Sequence, residues 1–223
     1  MKIRENLKNL LTHVPSDIKT VIVSKNHSVN DIMEVYNMGY RMFGENKAQE
    51  LLMKQPLLPP DIEWHFIGHL QTNKVRPIAA FIDTIQSVDS YKLLQMIGNE
   101  AFRHNRTINC LLQFHIATEE TKFGLDIEEA KKLVESFREN NLSTIKITGV
   151  MGMASYSDDE NLVREEFNTL ITYFHILKSD FFADDEDFRE ISMGMSGDYQ
   201  LAIQQGSTMI RLGTAIFGER DQD

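Results

Sequence analysis

The sequence predicts a closed (β/α)8 barrel of the α/β class, and three observations carry that prediction. Eight short apolar or β-branched runs recur about every 27 residues, the repeat of one strand plus one crossover helix. The stretches between them show helical rather than alternating periodicity. The length, 223 residues, suits one such barrel, which needs roughly 200 to 250 residues. An open doubly wound sheet is the competing layout, and a count of eight strands favours closure.

The elements follow in order. MKIRENLKNLL at the start reads as an amphipathic helix and lacks the apolar core of a signal peptide. The first strand is expected over residues 20–24, where Val and Ile cluster, and Ser28 is a natural N-cap for the helix after it. The second and fourth strands, residues 41–43 and 84–86, are the shortest runs; the third, residues 64–67, holds Trp64. Asp89 is placed as the N-cap ahead of Tyr-Lys-Leu-Leu, and the fifth strand covers residues 108–116. Ile127, Ala130, Val134 and Phe137 then repeat at three- and four-residue steps, which marks a helix over residues 127–140. The sixth strand is expected at residues 146–151. Leu162, Phe167, Leu170, Ile171 and Phe174 define the next helix by the same spacing. FFADDEDF, residues 181–188, reads as a solvated loop or helix end with aromatic anchors. Strands seven and eight fall at residues 190–193 and 208–212. No linker-like block divides the chain, so a single domain over residues 1–223 is expected.

Composition excludes several roles. With 33 acidic and 23 basic side chains, the formal net charge is −10. That balance argues against wrapping nucleic acid, which needs clustered Lys and Arg, but leaves room for a local basic pocket. The longest apolar runs last about five residues, against about 20 for a membrane helix. Neither nucleic acid nor membrane is therefore an expected partner. One cysteine, Cys110, makes no internal disulfide and no thiol metal cluster, so a cytoplasmic location is expected. The sequons at Asn26, Asn105 and Asn141 carry no meaning there.

In a barrel of this kind the chemistry belongs just past the carboxyl ends of the strands. Ser24-Lys25-Asn26-His27 follows the first strand, Gly44-Glu45-Asn46 the second and Gly68-His69-Leu70-Gln71 the third. Gly194-Met195-Ser196-Gly197-Asp198 follows the seventh, and Gly213-Thr214 the eighth. The last two loops are where many barrels hold a phosphate. Gly194, Ser196, Gly197, Gly213 and Thr214 supply approachable N–H groups and two hydroxyls, although such glycines also serve plain turns.

Lys25 starts at the barrel mouth, where a neutral lysine amine can attack a carbonyl; the alternative is a surface lysine closing a strand. An aldehyde that carries its own phosphate joins Lys25 to the phosphate loops, and pyridoxal 5′-phosphate (PLP) is such a molecule. Arg211 lies two residues before Gly213, so both point to one side of the strand. An inward arginine there can hydrogen-bond a pyridine nitrogen and, as a permanent cation, keep it unprotonated. A phosphate contact and a structural ion pair remain alternatives. His65 and His69 lack the metalloprotease glutamate, and no P-loop or dinucleotide fingerprint is present, so no metal or nucleotide site is expected. The eleven methionines, Trp64 and the thirteen phenylalanines read as core.

The segments VSK (residues 23–25), FGEN-x-x-QEL (43–51), WHFIGHLQTNK (64–74), ETKFG (120–124), GVMGMA (149–154), SMGMSGD (192–198) and GSTMIRLGTAIFG (206–218) share one likeness. Together they resemble the YggS/PROSC-type PLP homeostasis proteins over nearly the whole chain. The resemblance implies a fold-type III PLP barrel, similar to the N-terminal domain of alanine racemase, with PLP held as an internal aldimine. It implies Lys25 as the Schiff-base lysine, Ser196, Gly213 and Thr214 as phosphate contacts, Arg211 near the pyridine nitrogen, and Asn46 lining the cofactor pocket. It further implies a monomeric, non-catalytic carrier in vitamin B6 homeostasis, with apo-PLP enzymes as recipients. One departure stands out. Family members often carry a second basic residue and a proline after the lysine, where this chain has Asn26-His27-Ser28, and histidine titrates near neutral pH. The competing function is a small PLP-dependent amino-acid racemase or decarboxylase. A racemase needs acid/base groups on both faces of the carbanion, and fold-type III racemases take a tyrosine from a C-terminal β-domain of the partner subunit. A barrel of about 210 residues leaves no length for that domain, so a carrier is expected.

Overall fold

Eight parallel strands pair in chain order and close on themselves. They are β1 (Lys19–Val23), β2 (Met42–Glu45), β3 (Glu63–Phe66), β4 (Thr84–Val88), β5 (Ile108–Phe114), β6 (Ile145–Gly152), β7 (Glu190–Ser192) and β8 (Met209–Leu212). Closure is made by β8 against β1, in register from Lys19↔Met209 to Ile22↔Leu212. This computed structural model describes residues 2–119 and 123–218.

Each strand is followed by a helix: α2 (Val29–Tyr36), α3 (Ala48–Lys54), α4 (Val75–Ile78), α5 (Tyr91–Arg103), α6 (Ile127–Glu139), α7 (Glu160–Phe181), α8 (Tyr199–Gln204) and α9 (Thr214–Phe217). An extra helix, α1 (Lys2–Leu11), buries Leu7 and Leu10, and Asn6 Nδ2 donates to Ile216 O of α9 at 3.0 Å.

Two apolar layers hold the barrel. Val21, Leu111, Met151 and Met209 form a small cluster of their own inside it. Ile22, Phe43, Trp64 and Phe66 belong to the larger layer shared with the helices. Both faces of the sheet are covered, which is why the strands read as nearly continuous apolar runs. Each buried Val, Leu or Phe in these layers contributes about 1.5–3 kcal/mol. Capping boxes start α2 (Ser28 with Asp31) and α6 (Asp126 with Glu129).

The expected elements are present, with shifts at their ends. β2 runs on through Gly44 and Glu45, and β4 through Val88, whereas β5 stops at Phe114 and β7 at Ser192. Helix α5 is capped by Ser90, whose hydroxyl accepts from Leu93 N at 3.3 Å; Asp89 faces His69 instead. In FFADDEDF, Phe182 stacks on Phe188 at 4.2 Å and both are buried, while residues 183–187 are exposed. Asn26, Asn105 and Asn141, the three sequon asparagines, are the non-glycine residues with positive φ among those described (61°, 53° and 44°). Asparagine tolerates that left-handed conformation, and each of the three makes a tight turn. Among the described residues no helix is long and apolar enough to cross a membrane.

Candidate functional site

A cavity of about 660 Å³ opens at the carboxyl end of the barrel, and Lys25, Asn46, Ser196, Arg211, Gly213 and Thr214 all line it. Alternation along β1 explains Lys25: Val21 and Val23 face the interior, so the next residue of that parity does too. Its side chain is half-buried. Ser24, of the other parity, points towards α3, where its hydroxyl donates to Glu45 Oε1 at 2.6 Å.

The backbone on either side of Lys25 is tied down by one buried cluster. Lys54 Nζ on α3 donates to Ser24 O (2.7 Å), Glu45 Oε1 (2.8 Å) and Glu50 Oε1 (2.6 Å). Glu50 Oε1 also accepts from Asn26 N at 2.5 Å. Burial pushes the Glu45 carboxyl above the usual range against the pull of Lys54 and Ser24. Burial acts on Glu50 as well, but its bonds to Lys54 and Asn26 outweigh it and hold that carboxyl low. His27, at the departure from the family pattern, stacks on Phe217 of α9 at 4.1 Å. That contact ties the Lys25 loop to the helix that follows the neighbouring strand β8.

The loops after β7 and β8 form a cradle of donors. Ser196 Oγ accepts from Gly213 N (3.4 Å) and Ala215 N (3.1 Å), so the first N–H groups of α9 converge on one hydroxyl. Gly194 has φ 95°, and a Cβ there would lie 2.6 Å from Ala202 Cβ; only glycine allows this turn. Thr214 is exposed at the rim. Asn46 is set by contact with the next loop, since a Cβ on Gly68 would come within 2.3 Å of Asn46 O.

Arg211 is 3% exposed. Its Nη1 donates to Ser192 Oγ (2.7 Å) and its Nη2 to Gly152 O (2.9 Å), both neutral oxygens rather than a carboxylate. Burial lowers its pKa to about 10 against the opposing charge of Asp198, so it stays a cation at neutral pH.

Sequence reasoning brought these six residues together but missed others. Ala215 supplies a cradle N–H, and Gln113 on β5 lines the cavity with Met153, Ser155 and Tyr156 from the loop after β6. Met153 falls in GVMGMA, a segment that carries the family likeness, but nothing in it singles out a residue for the site. In ETKFG, residues 120–122 lie outside the described residues.

His65 and His69 part company. His65 sits inside the barrel with Nδ1 2.8 Å from Gln86 Nε2, whereas His69 Nδ1 meets Asp89 Oδ2 at 3.2 Å and its ring stacks on Phe123. Among the described residues no group of three or more His, Cys, Asp or Glu is arranged to hold a metal ion. Burial, helped by the charge of Lys19, lowers the His65 pKa to about 4. The unfolded chain, with histidine near 6.5, therefore takes up this proton first as pH falls, and stability is lost from pH 6.5 towards 4. The expected loss from this group is about 2 kcal/mol between pH 7 and 5. Urea titrations at both pH values check it: His65→Asn removes that part of the pH slope, and an unchanged slope would contradict the assignment.

Fold and site together define a class, the barrel domain of the alanine racemases, whose family model, "Alanine racemase, N-terminal domain", matches residues 1–221. The alanine racemase of Clostridium difficile 630 shares this fold, with a TM-score of 0.80 at 17% identity over all of this chain and 61% of that one. Within the class, the chain belongs to the pyridoxal phosphate homeostasis protein family. It is 38% identical over 190 residues to the pyridoxal phosphate homeostasis protein of Aquifex aeolicus, covering 85% of this chain and 81% of that one. PipY of Synechococcus elongatus, in a structure with PLP bound, matches with a TM-score of 0.86 at 34% identity, over 97% of this chain and 100% of that one.

Proposed function

We propose that this protein is a non-catalytic PLP carrier and buffer: a single monomeric barrel domain of the cytoplasm that holds PLP as an internal aldimine on Lys25 and releases it to apo-enzymes. The observation that carries this reading is the placement of a half-buried lysine amine and an anion cradle in one cavity. Its volume of about 660 Å³ lies within the range usual for small-molecule sites. The names of the relatives and the PLP in the PipY structure support it.

PLP supplies an electrophilic aldehyde and a phosphate handle. Lys25 would hold the group through its amine, for which the aldehyde carbon is the electrophilic partner. The N–H groups of Gly213 and Ala215, turned from the Ser196 hydroxyl to the anion, would hold the phosphate with the hydroxyls of Ser196 and Thr214. Asn46, just past β2 and so next to the Lys25 strand, lines the cavity as well. Arg211, a donor without a lone pair, lines the cavity and would meet the pyridine nitrogen and keep it unprotonated, which weakens the ring as an electron sink. That electronic choice suits storage better than carbanion chemistry.

The test is incubation with PLP, borohydride reduction and peptide mapping. The label is expected on Lys25 alone, and a label on another lysine would overturn the reading. Transfer to an apo-enzyme, against free PLP at equal concentration, tests the carrier role. Likeness to alanine racemases at 17% identity speaks for the fold alone. Across a panel of L-amino acids in deuterated water, no steady α-proton exchange is expected; exchange at enzymatic rates would show a racemase.

A further inference from the structure

Beneath the cavity, a line of polar side chains crosses the barrel interior from β8 to β3. Arg211 Nη1 donates to Ser192 Oγ at 2.7 Å, and Ser192 Oγ donates to Gln86 Oε1 at 2.7 Å. Gln86 Nε2 lies 2.8 Å from His65 Nδ1 and 3.2 Å from Met209 Sδ. All four polar side chains are buried, among apolar neighbours such as Met209.

The direction of this line is dictated from one end. Arginine has donors only, so the Ser192 hydroxyl must accept from it and pass its own hydrogen onward. Gln86 must then turn its oxygen to Ser192 and its NH2 group to His65. His65 can close the line only as an acceptor, with a lone pair on Nδ1 and its hydrogen on Nε2. At the other end of the barrel His65 lines a second cavity, of about 240 Å³, with Lys19 and Glu190. Polar groups this deep cost stability unless bonded, and apolar side chains of similar shape would fill the space at less risk.

We propose that His65, Gln86 and Ser192 are positioning residues, a one-way hydrogen-bond line that aims the Arg211 guanidinium at the ligand in the upper cavity. This rests on the PLP reading. Without the His65 acceptor the Gln86 amide is free to flip, Ser192 loses its fixed acceptor, and the Nη1 side of Arg211 loses its anchor. Arg211 then faces the ring in more than one orientation.

Two measurements test this. In the ligand-free protein, nitrogen-15 NMR at pH 7 should show His65 as the Nε2–H tautomer; the Nδ1–H tautomer would overturn the proposed direction. In the PLP-loaded protein, His65→Leu and Ser192→Ala should each weaken PLP binding about tenfold and shift the near-visible absorbance maximum. His65→Asn, whose amide oxygen takes the place of Nδ1, should stay within about twofold of wild type with an unshifted maximum. Thermal melts confirm folding, and Gln86→Leu replaces His65→Leu if that variant does not fold. Equal binding and equal spectra for the Leu and Asn variants would overturn the proposal. If wild type takes up no PLP, the reading of the site fails and the aim of Arg211 fails with it, a different outcome from loaded protein with indifferent variants.

Discussion

Lys25→Ala is expected to abolish the near-visible absorbance that the wild-type protein gains with PLP, and to leave the fold intact. Lys25 is the lysine of the upper cavity among the described residues. Lys54 on α3 has its ammonium committed to Ser24 O, Glu45 and Glu50, away from the cavity. The half-buried Lys25 side chain belongs to neither apolar cluster, so truncating it should change stability by about 0.5 kcal/mol or less. The same experiment adds borohydride: no label should be retained by the variant. Persistence of the band would mean that another amine carries the ligand.

Lys54→Met should cost about 3–5 kcal/mol of stability, because it leaves two carboxylates in a buried site without their cation. Glu45 is fully buried, and its Oε2 has no hydrogen-bond partner among the described residues. Burial already raises its pKa, and loss of Lys54 raises it further. A carboxyl whose folded pKa lies above its unfolded value destabilises at high pH and recovers as pH falls and the proton is taken up. The deficit of the variant, read by urea titration, should therefore shrink from pH 7.5 to pH 5. Lys54→Met with Glu45→Leu should regain part of the loss, since an apolar pair can replace a buried ion pair at little cost. Ser24 O also loses its anchor, and Glu50, which holds Asn26 N, loses its cation, so Lys25 should take up PLP more slowly. A loss below about 1 kcal/mol would show the cluster to behave as a solvated surface pair.

The legible part of this protein is local. β-branched runs, helical spacing and cap residues placed the strands within a few residues of where they lie, because each signal is written in neighbours along the chain. By residue type Asp89 fits a cap, yet it faces His69 from the preceding loop, and Ser90 caps α5. Polar Glu45 was excluded from β2 because only Lys54 and Ser24 make a buried carboxylate acceptable in a strand.

The same division runs through the site. Local patterns along the chain suffice for the barrel, for the loops that carry the chemistry, and for the parity that sets Arg211 and Gly213 on one side of β8. Which polar residues support them follows from contacts between strands and helices far apart in sequence. On a parallel sheet covered on both faces, inward and outward residues are equally apolar, so alternation does not mark the rare polar ones. Gln86 and Ser192 therefore look like ordinary interruptions of a strand, and Lys54 like an ordinary helix end. Their roles arise from contacts across 9 to 106 residues of chain, made when the barrel closes and buries groups that must then find each other.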